Sequence, residues 1–462
     1  MPSVPPWWKF VLGAKVRILH LAIVPPAPAT NGHRIRCRSL VCALANEGHR
    51  ISLLSYAAPE EIASPSPELT DLYEDVQLVP EPRGSQIAGR LKALFSPRPY
   101  GALRFTAPAM RTAVSEKLAQ GFDAILCEDI YMAGNVALTR LSGRRLMADP
   151  RHAGAGDQRL PLSAGFSGQG PTAEGQRLPL LLNKHDITYR IVDQFVRGER
   201  NWLKKIYGRM EYHKIRRLEL AVCGSASVVL ACSDWDKELL AQDCPGAKIA
   251  VLPNVVDVET YSSATGDDGK TVLYTGAMDW LPNQDGAEYF ISEILPKLRQ
   301  LTVGTHFVVA GRNPPPEMLR RYGGIPDVHF TGTVRDIRSI IAQAAVCAVS
   351  LRIGSGTRMK ILEAGAMGKA VVSTTLGAEG LGLRQGEEIL LADDPRSFAQ
   401  AVATLLKDPA LRRRLGQAAR QRVERDYSLA ALQSRIAETL APLCPKHADG
   451  DSRRKTGMVE SR

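Results

Sequence analysis

Residues 352–380 read RIGSGTRMKILEAGAMGKAVVSTTLGAEG. The apolar run AVCAVSL, 345–351, leads into a loop with glycines at 354 and 356, and helical periodicity begins near Thr357. A strand feeding a glycine loop that opens a helix offers backbone N–H groups and the positive end of the helix dipole to an oxyanion. Thr357 is a suitable N-cap. Arg358 and Lys360 set two cations in the first turn, where the macrodipole disfavours them and a bound diphosphate would offset that cost. The Glu363 carboxylate, further along the helix, can accept hydrogen bonds from a ribose diol. On spacing alone, a plain glycine turn with solvated charges explains the stretch equally well.

Outward from this stretch, short apolar runs alternate with helical patterns in both directions, the signature of parallel sheets covered by helices. Strands are predicted at 271–275, 306–310, 328–331, 346–351, 370–374 and 389–391, with helices at 285–299, 337–344, 357–367, 395–407, 409–426 and 429–440. Towards the N-terminus, strands are predicted at 16–21, 50–55, 76–79, 124–127, 180–182, 227–231 and 249–252, with a helix over 33–46 ending at Gly48. The polar run DVETYSSATGDDGK, 257–270, divides the two series as a linker. The expected fold is α/β: two doubly wound Rossmann-like domains, 14–256 and 271–425, facing a cleft. Residues 426–444 are expected to pack back on the first domain. The glycine-rich stretch 147–177 breaks the rhythm as a flexible insertion, and the charged tail 445–462 is expected to be disordered.

A chain of 462 residues with 44% hydrophobic and 23% charged residues can bury two such cores. The formal net charge of +11 favours anionic partners. Eight cysteines occur without a C-x-x-C pair or a local Cys/His cluster, which argues for buried free thiols in a reducing compartment and against a metal centre. No apolar stretch is long enough to span a bilayer, and the start MPSVPPWWKFVLGAK lacks a cleavage pattern, so the expected location is cytoplasmic. Residues 190–217 carry nine Lys or Arg against three acids, interleaved with Trp202, Ile206, Met210 and Tyr212. A solvated helix face is the plain explanation; an anionic membrane surface is the functional one. No helix-turn-helix, zinc finger or RNA-binding motif accompanies the charge, which argues against nucleic acid.

The 352–380 stretch resembles the donor-binding helix of retaining family 4 glycosyltransferases of GT-B fold, in which a glycine-rich loop precedes L-E-A-x-A-x-G-x-P-V-V. Leu362, Glu363, Ala364, Ala366, Gly368, Val371 and Val372 occupy those places, with Ala370 for the proline. PNVVD (253–257) resembles the close of the family's first domain, VLYTGAMDWLPN (272–283) its donor loop, HFTGTVRDI (329–337) a second-domain strand and turn, and PPAPATNGHRIRCRSLVCALANEGH (25–49) the first-domain loop and helix. The GTR-x-K-ILEA form looks most like sugar transferases of bacterial exopolysaccharide assembly.

The resemblance implies a nucleotide diphosphate sugar as donor, a saccharide or polyprenyl-linked acceptor, and no metal or cofactor. It implies that Glu363 holds the ribose and that Gly354, Ser355, Gly356 and Thr357 cradle the diphosphate with Arg358 and Lys360. Gly32 and Gly276 would let backbone approach the donor from either side. Three departures stand out. Ser355 occupies the place of the family's first Glu, eight positions before Glu363. The loop AMDWLPN brings no cation, which leaves Arg358, Lys360 and Arg312 as replacements. Glu128 stands where a histidine follows the strand, with His185 after the next strand as the second polar candidate. A silent nucleotide-sugar scaffold and a GT-B epimerase share this pattern. A dinucleotide dehydrogenase does not, because PPAPATNG rather than G-x-G-x-x-G follows the first strand.

Overall fold

Thirteen short runs of branched and apolar residues pair into two wholly parallel sheets in a computed structural model that describes residues 15–82, 85–136, 178–199, 201–262 and 266–440. The N-terminal start, the insertion 147–177 and the tail 445–462 lie outside the described residues.

The first sheet takes the order β3-β2-β1-β4-β5-β6-β7, from β1 (Arg17–Ala22), β2 (Arg50–Ala57), β3 (Asp75–Pro80), β4 (Ala124–Glu128), β5 (Leu180–Asn183), β6 (Val228–Ala231) and β7 (Ile249–Val251). The second is β10-β9-β8-β11-β12-β13, from β8 (Thr271–Thr275), β9 (His306–Ala310), β10 (Val328–Gly332), β11 (Val346–Val349), β12 (Val371–Ser373) and β13 (Leu390–Leu391). In each sheet the chain reverses its winding beside the first strand, between β1 and β4 and between β8 and β11. Open parallel sheets bind ligands outside the carboxyl ends of the strands at such switch points. Glu128 ends β4, and β11 leads into the 352–358 loop, so both switch points carry candidate residues.

The helices follow from their caps. Helix α1 (Gly32–Asn46) starts where the Asn31 side chain accepts from the Arg34 N–H, and it buries Cys37, Leu40, Val41 and Leu44. Helix α2 (Gln86–Leu94) lies between β3 and β4, in a region without a periodic signal strong enough to assign. The basic segment forms two helices, α3 (Thr188–Gly198) and α4 (Trp202–Ser225), where one continuous run is expected. Gly198 ends the first, and the Asn201 carbonyl oxygen accepts from the Leu203 and Lys204 N–H groups to start the second. Helix α5 (Leu281–Tyr289) begins earlier than its periodicity suggests and runs on through a π-helical turn, Phe290–Ile294. Helix α6 (Met359–Ala366) is capped by Arg358 rather than Thr357, because the Thr357 hydroxyl is engaged by the Asn254 amide at 2.7 Å. Helices α7 (Pro409–Asp426) and α8 (Leu429–Leu440) close the described chain, and Leu432 and Ile436 of α8 share a buried cluster with Leu40 and Leu44 of α1. The last helix therefore returns to the first domain. No helix among the described residues is long and apolar enough to cross a membrane.

Candidate functional site

At the second switch point, Gly276 follows β8 with φ +154°, and a Cβ there would lie 2.7 Å from the Asn283 side chain. That close approach lets Asn283 turn inward, where its carbonyl oxygen accepts from the Lys360 ammonium at 3.0 Å. The ammonium also lies over the Tyr274 ring, 4.4 Å from its centroid. Burial and the neighbouring Arg358 push the Lys360 pKa down to about 7. Arg358 donates through Nη1 to the Ser355 and Gly356 carbonyls of its own loop, while Nη2 is enclosed without a partner. Both residues keep a residual opening to solvent, yet their charged heads are enclosed by protein. Neither forms an ion pair with any described residue. Arg312 differs, since it arrives already paired with Asp279 at 3.3 Å on an exposed loop. Glu363, one turn beyond Met359, accepts from the Tyr261 hydroxyl at 3.3 Å, and burial raises its pKa.

At the first switch point, Glu128 is fully buried and accepts hydrogen bonds from three side chains: His20 Nε2 at 2.8 Å, His185 Nε2 at 2.6 Å and the Asn183 amide at 2.9 Å. Burial alone would raise its pKa, but the bonds from His185 and His20 hold it well below the usual carboxylate range. The family resemblance set Glu128 in the place of an active-site histidine; in the structure its oxygens are enclosed and accept from His20, His185 and Asn183. His185 itself is partly exposed and stacks on His33, with ring centroids 4.0 Å apart. The local run of sequence held no Cys/His cluster, yet the fold makes one: His33 and Cys37, one turn apart on α1, converge with His185. Burial and Glu128 raise the Cys37 thiol pKa well above its ordinary value. Beside them, Lys184 is buried against Glu219 at 2.8 Å and Asp129 at 3.8 Å. Asp129 has φ +64°, a strained value for a non-glycine residue at a strand end.

The two halves meet along the glycine loop. The Ser355 hydroxyl accepts from the Ile187 N–H at 3.1 Å, and the Gly354 N–H donates to the Gln194 side chain at 2.7 Å. Gly32 faces the Met359 side chain, where a Cβ would stand 3.2 Å from Cγ. Gly356 has φ +73°, and a Cβ on it would lie 2.3 Å from the His185 carbonyl oxygen. The loop expected to cradle an anion thus spends the Gly354 N–H and the Ser355 hydroxyl on the facing domain. Gly356→Ala should prise the domains apart at this point. We expect a larger radius of gyration by small-angle scattering and roughly 1–3 kcal/mol of lost stability from the strained φ; an unchanged scattering profile would contradict the contact's role in closure.

All twelve candidates from the sequence lie in described residues. Glu363, Lys360, Arg358 and Gly354–Thr357 gather on one loop and helix. Gly276 joins them through Asn283, Gly32 and His185 face them from the first domain, Glu128 lies behind His185, and Arg312 is bonded to Met278 and Asp279 of the loop that follows Gly276. His20, His33, Asn183, Lys184, Gln194, Asn254 and Asn283 were not found from sequence. The polar run NKHD at the end of β5 was the available signal for Asn183 and Lys184; nothing local marks His20 inside a strand.

Residues 31–255 match the family model described as a glycosyl transferase 4-like domain, and residues 269–408 match glycosyl transferases group 1. A glycogen synthase of Mycobacterium tuberculosis is 26% identical over 250 residues, covering 51% of this chain and 58% of that protein, so the match spans little more than half the relative's length. Among solved structures, sucrose-phosphate synthase from Thermosynechococcus elongatus superposes with a TM-score of 0.64 at 17% identity, covering 92% of this chain and 99% of that one. HepE from Anabaena, solved with UDP-glucose, gives 0.61 at 16% identity over 92% and 100%. WaaG, a glycosyltransferase involved in lipopolysaccharide biosynthesis, gives 0.57 at 14% over 92% and 99%. At these identities the structural likeness speaks for the fold.

Proposed function

We infer from the two family matches that the chain is a glycosyltransferase of GT-B fold, and on that premise we propose that it moves a sugar from a nucleotide diphosphate donor to a saccharide or lipid-linked acceptor. The observation that carries the donor side is the pair Arg358 and Lys360: two adjacent enclosed basic groups with no close ion pair among the described residues, the carboxylates of Glu363, Glu379, Asp236 and Asp186 acting on them only from farther off. Enclosed charges are ordinarily paired at close range, and two basic groups crowded together without a direct ion pair favour an incoming anion. A diphosphate fits, since its charge grows at the leaving oxygen as the sugar departs, when two fixed cations stabilise it most.

In this reading Glu363 receives the ribose diol, with Tyr261 steadying its carboxylate. Gly276 and Gly32 keep backbone close to the donor on either side. His185, held by the buried Glu128, offers its ring to a sugar hydroxyl, and Glu128 serves as a positioning residue. Transfer with retention, membership of family 4 and a role in exopolysaccharide or cell-surface glycan assembly follow from the motif resemblance. HepE is solved with UDP-glucose, so UDP-hexoses come first among donors to test.

Thermal shift with UDP-, GDP- and ADP-sugars in metal-free buffer tests the donor. A ligand at about a hundredfold over Kd stabilises by roughly 2.7 kcal/mol. Glu363→Ala should abolish that shift while its unliganded melt stays within a few degrees of wild type. An unchanged shift in this variant would remove Glu363 from the donor site.

A further inference from the structure

Twelve large hydrophobic residues are exposed among the described residues, and seven of them sit on two neighbouring helices. Ile87 (73% exposed) and Leu91 (55%) lie on α2, with Phe95 (91%) just past its end; Trp202 (67%), Leu203 (59%), Ile206 (54%) and Met210 (36%) lie on the first turns of α4. The spacings 87, 91, 95 and 202, 206, 210 put each set along one helix face. The helices are neighbours in space. The Lys214 ammonium of α4 donates to the Ala93 carbonyl of α2 at 2.6 Å, and the Tyr100 N–H just after α2 donates to Glu211 of α4 at 2.8 Å. Two apolar stripes on neighbouring helices are more than scattered surface hydrophobics, which need no explanation singly.

Charge narrows the occupant. Arg90 and Lys92 on α2 and Lys204, Lys205, Arg209 and Arg217 on α4 are exposed around the stripes. Helix α2 contains no acid, and Glu211, the acid within the stripe-bearing turns of α4, is buried against Tyr100. An apolar face ringed by exposed cations, with aromatics at its margin, fits the interface of an anionic bilayer better than a protein surface, which would have to supply a matching acidic rim.

We propose that α2 and the start of α4 together form a two-helix platform that seats the protein on an anionic lipid surface. The basic run in the sequence marked only α3 and α4; the apolar residues of α2 and Phe95 join them only in the fold. The platform also adjoins the cleft. Gly101, beyond α2, packs under the Tyr131 ring, and α4 lies along α3, whose Gln194 contacts the glycine loop. An acceptor carried on a lipid would enter the cleft from this side, a consequence that rests on the transferase reading; docking itself does not.

Co-sedimentation of the full chain with phosphatidylcholine vesicles, with and without 30% phosphatidylglycerol (a composition chosen on the order of natural anionic leaflets), tests the proposal. Wild type should bind the anionic vesicles and lose most binding at high salt. Phe95→Ser with Trp202→Ser should lower the partition by about tenfold or more, and Lys204→Glu with Lys205→Glu should do the same. Both pairs are exposed, so donor-induced thermal shift should stay at the wild-type value and report an intact fold. Absence of wild-type binding would overturn the proposal, as would binding that ignores the Phe95 and Trp202 changes. A concentration-dependent dimer dissolved by those changes, without vesicle binding, would assign the face to a second copy instead. Loss of donor response with vesicle binding intact would count against the transferase reading alone.

Discussion

Lys360→Met should lower kcat/KM by about 10²–10³-fold and, at the same time, make the unliganded protein more stable. The two signs come from one cause. Lys360 is enclosed beside Arg358, over the Tyr274 ring, with a neutral amide as its hydrogen-bond partner. Holding an ammonium there costs folding free energy that a methionine of similar length does not incur. The same ammonium is worth most when a diphosphate arrives. A residue kept for packing would lose stability on replacement, so an increase in melting temperature with loss of turnover separates the readings. Unchanged turnover would end the assignment.

The pH dependence carries the same signature. The Lys360 pKa is about 7 in the fold against 10.5 unfolded, so between those values the unfolded chain binds more protons. Stability therefore rises with pH across that window, and Lys360→Met should remove this part of the slope. A bound diphosphate restores the charged form, so donor binding above pH 7 should take up a proton. Calorimetry in two buffers of different ionisation heat reads that uptake directly.

Much of the fold was legible because parallel strands buried on both faces read as short apolar runs, and every one of the thirteen predicted runs overlaps a strand. What failed to show were local breaks and discontinuous partners. The split between α3 and α4 depends on Asn201 capping a new start, one residue within a helical composition. The displaced start of α6 depends on Asn254, 103 residues away, taking the Thr357 hydroxyl. Helix α2 is nine residues long, and its apolar stripe of Ile87, Leu91 and Phe95 spans too short a window to mark a helix in the sequence. The donor helix was readable since its glycines, cations and Glu363 are contiguous. The opposite wall was not, since His20, Glu128, Asn183 and His185 come from three strands and meet only when the sheet forms.

That wall bears the second large effect. Glu128→Ala should destabilise the protein by about 3–5 kcal/mol, because it strands donors on His20, Asn183 and His185 around a fully buried position. For a domain of this size that is a fall in melting temperature of roughly 10 °C. Glu128→Gln keeps the volume but offers one acceptor oxygen where two are used, so one histidine must present a bare nitrogen instead. This variant should fold, lose turnover more than donor affinity, and change its acid limb. The wild-type carboxyl is held below its ordinary 4.5, so its contribution to stability is present above that value and lost as pH falls through the folded pKa. Urea melts from pH 7 downward should show the wild-type slope steepening below about 4.5, with that increment missing in Glu128→Gln. A Glu128→Ala protein as stable as wild type would mean that His185 needs no anchor, and the case for His185 as a fixed group facing the donor would fall with it.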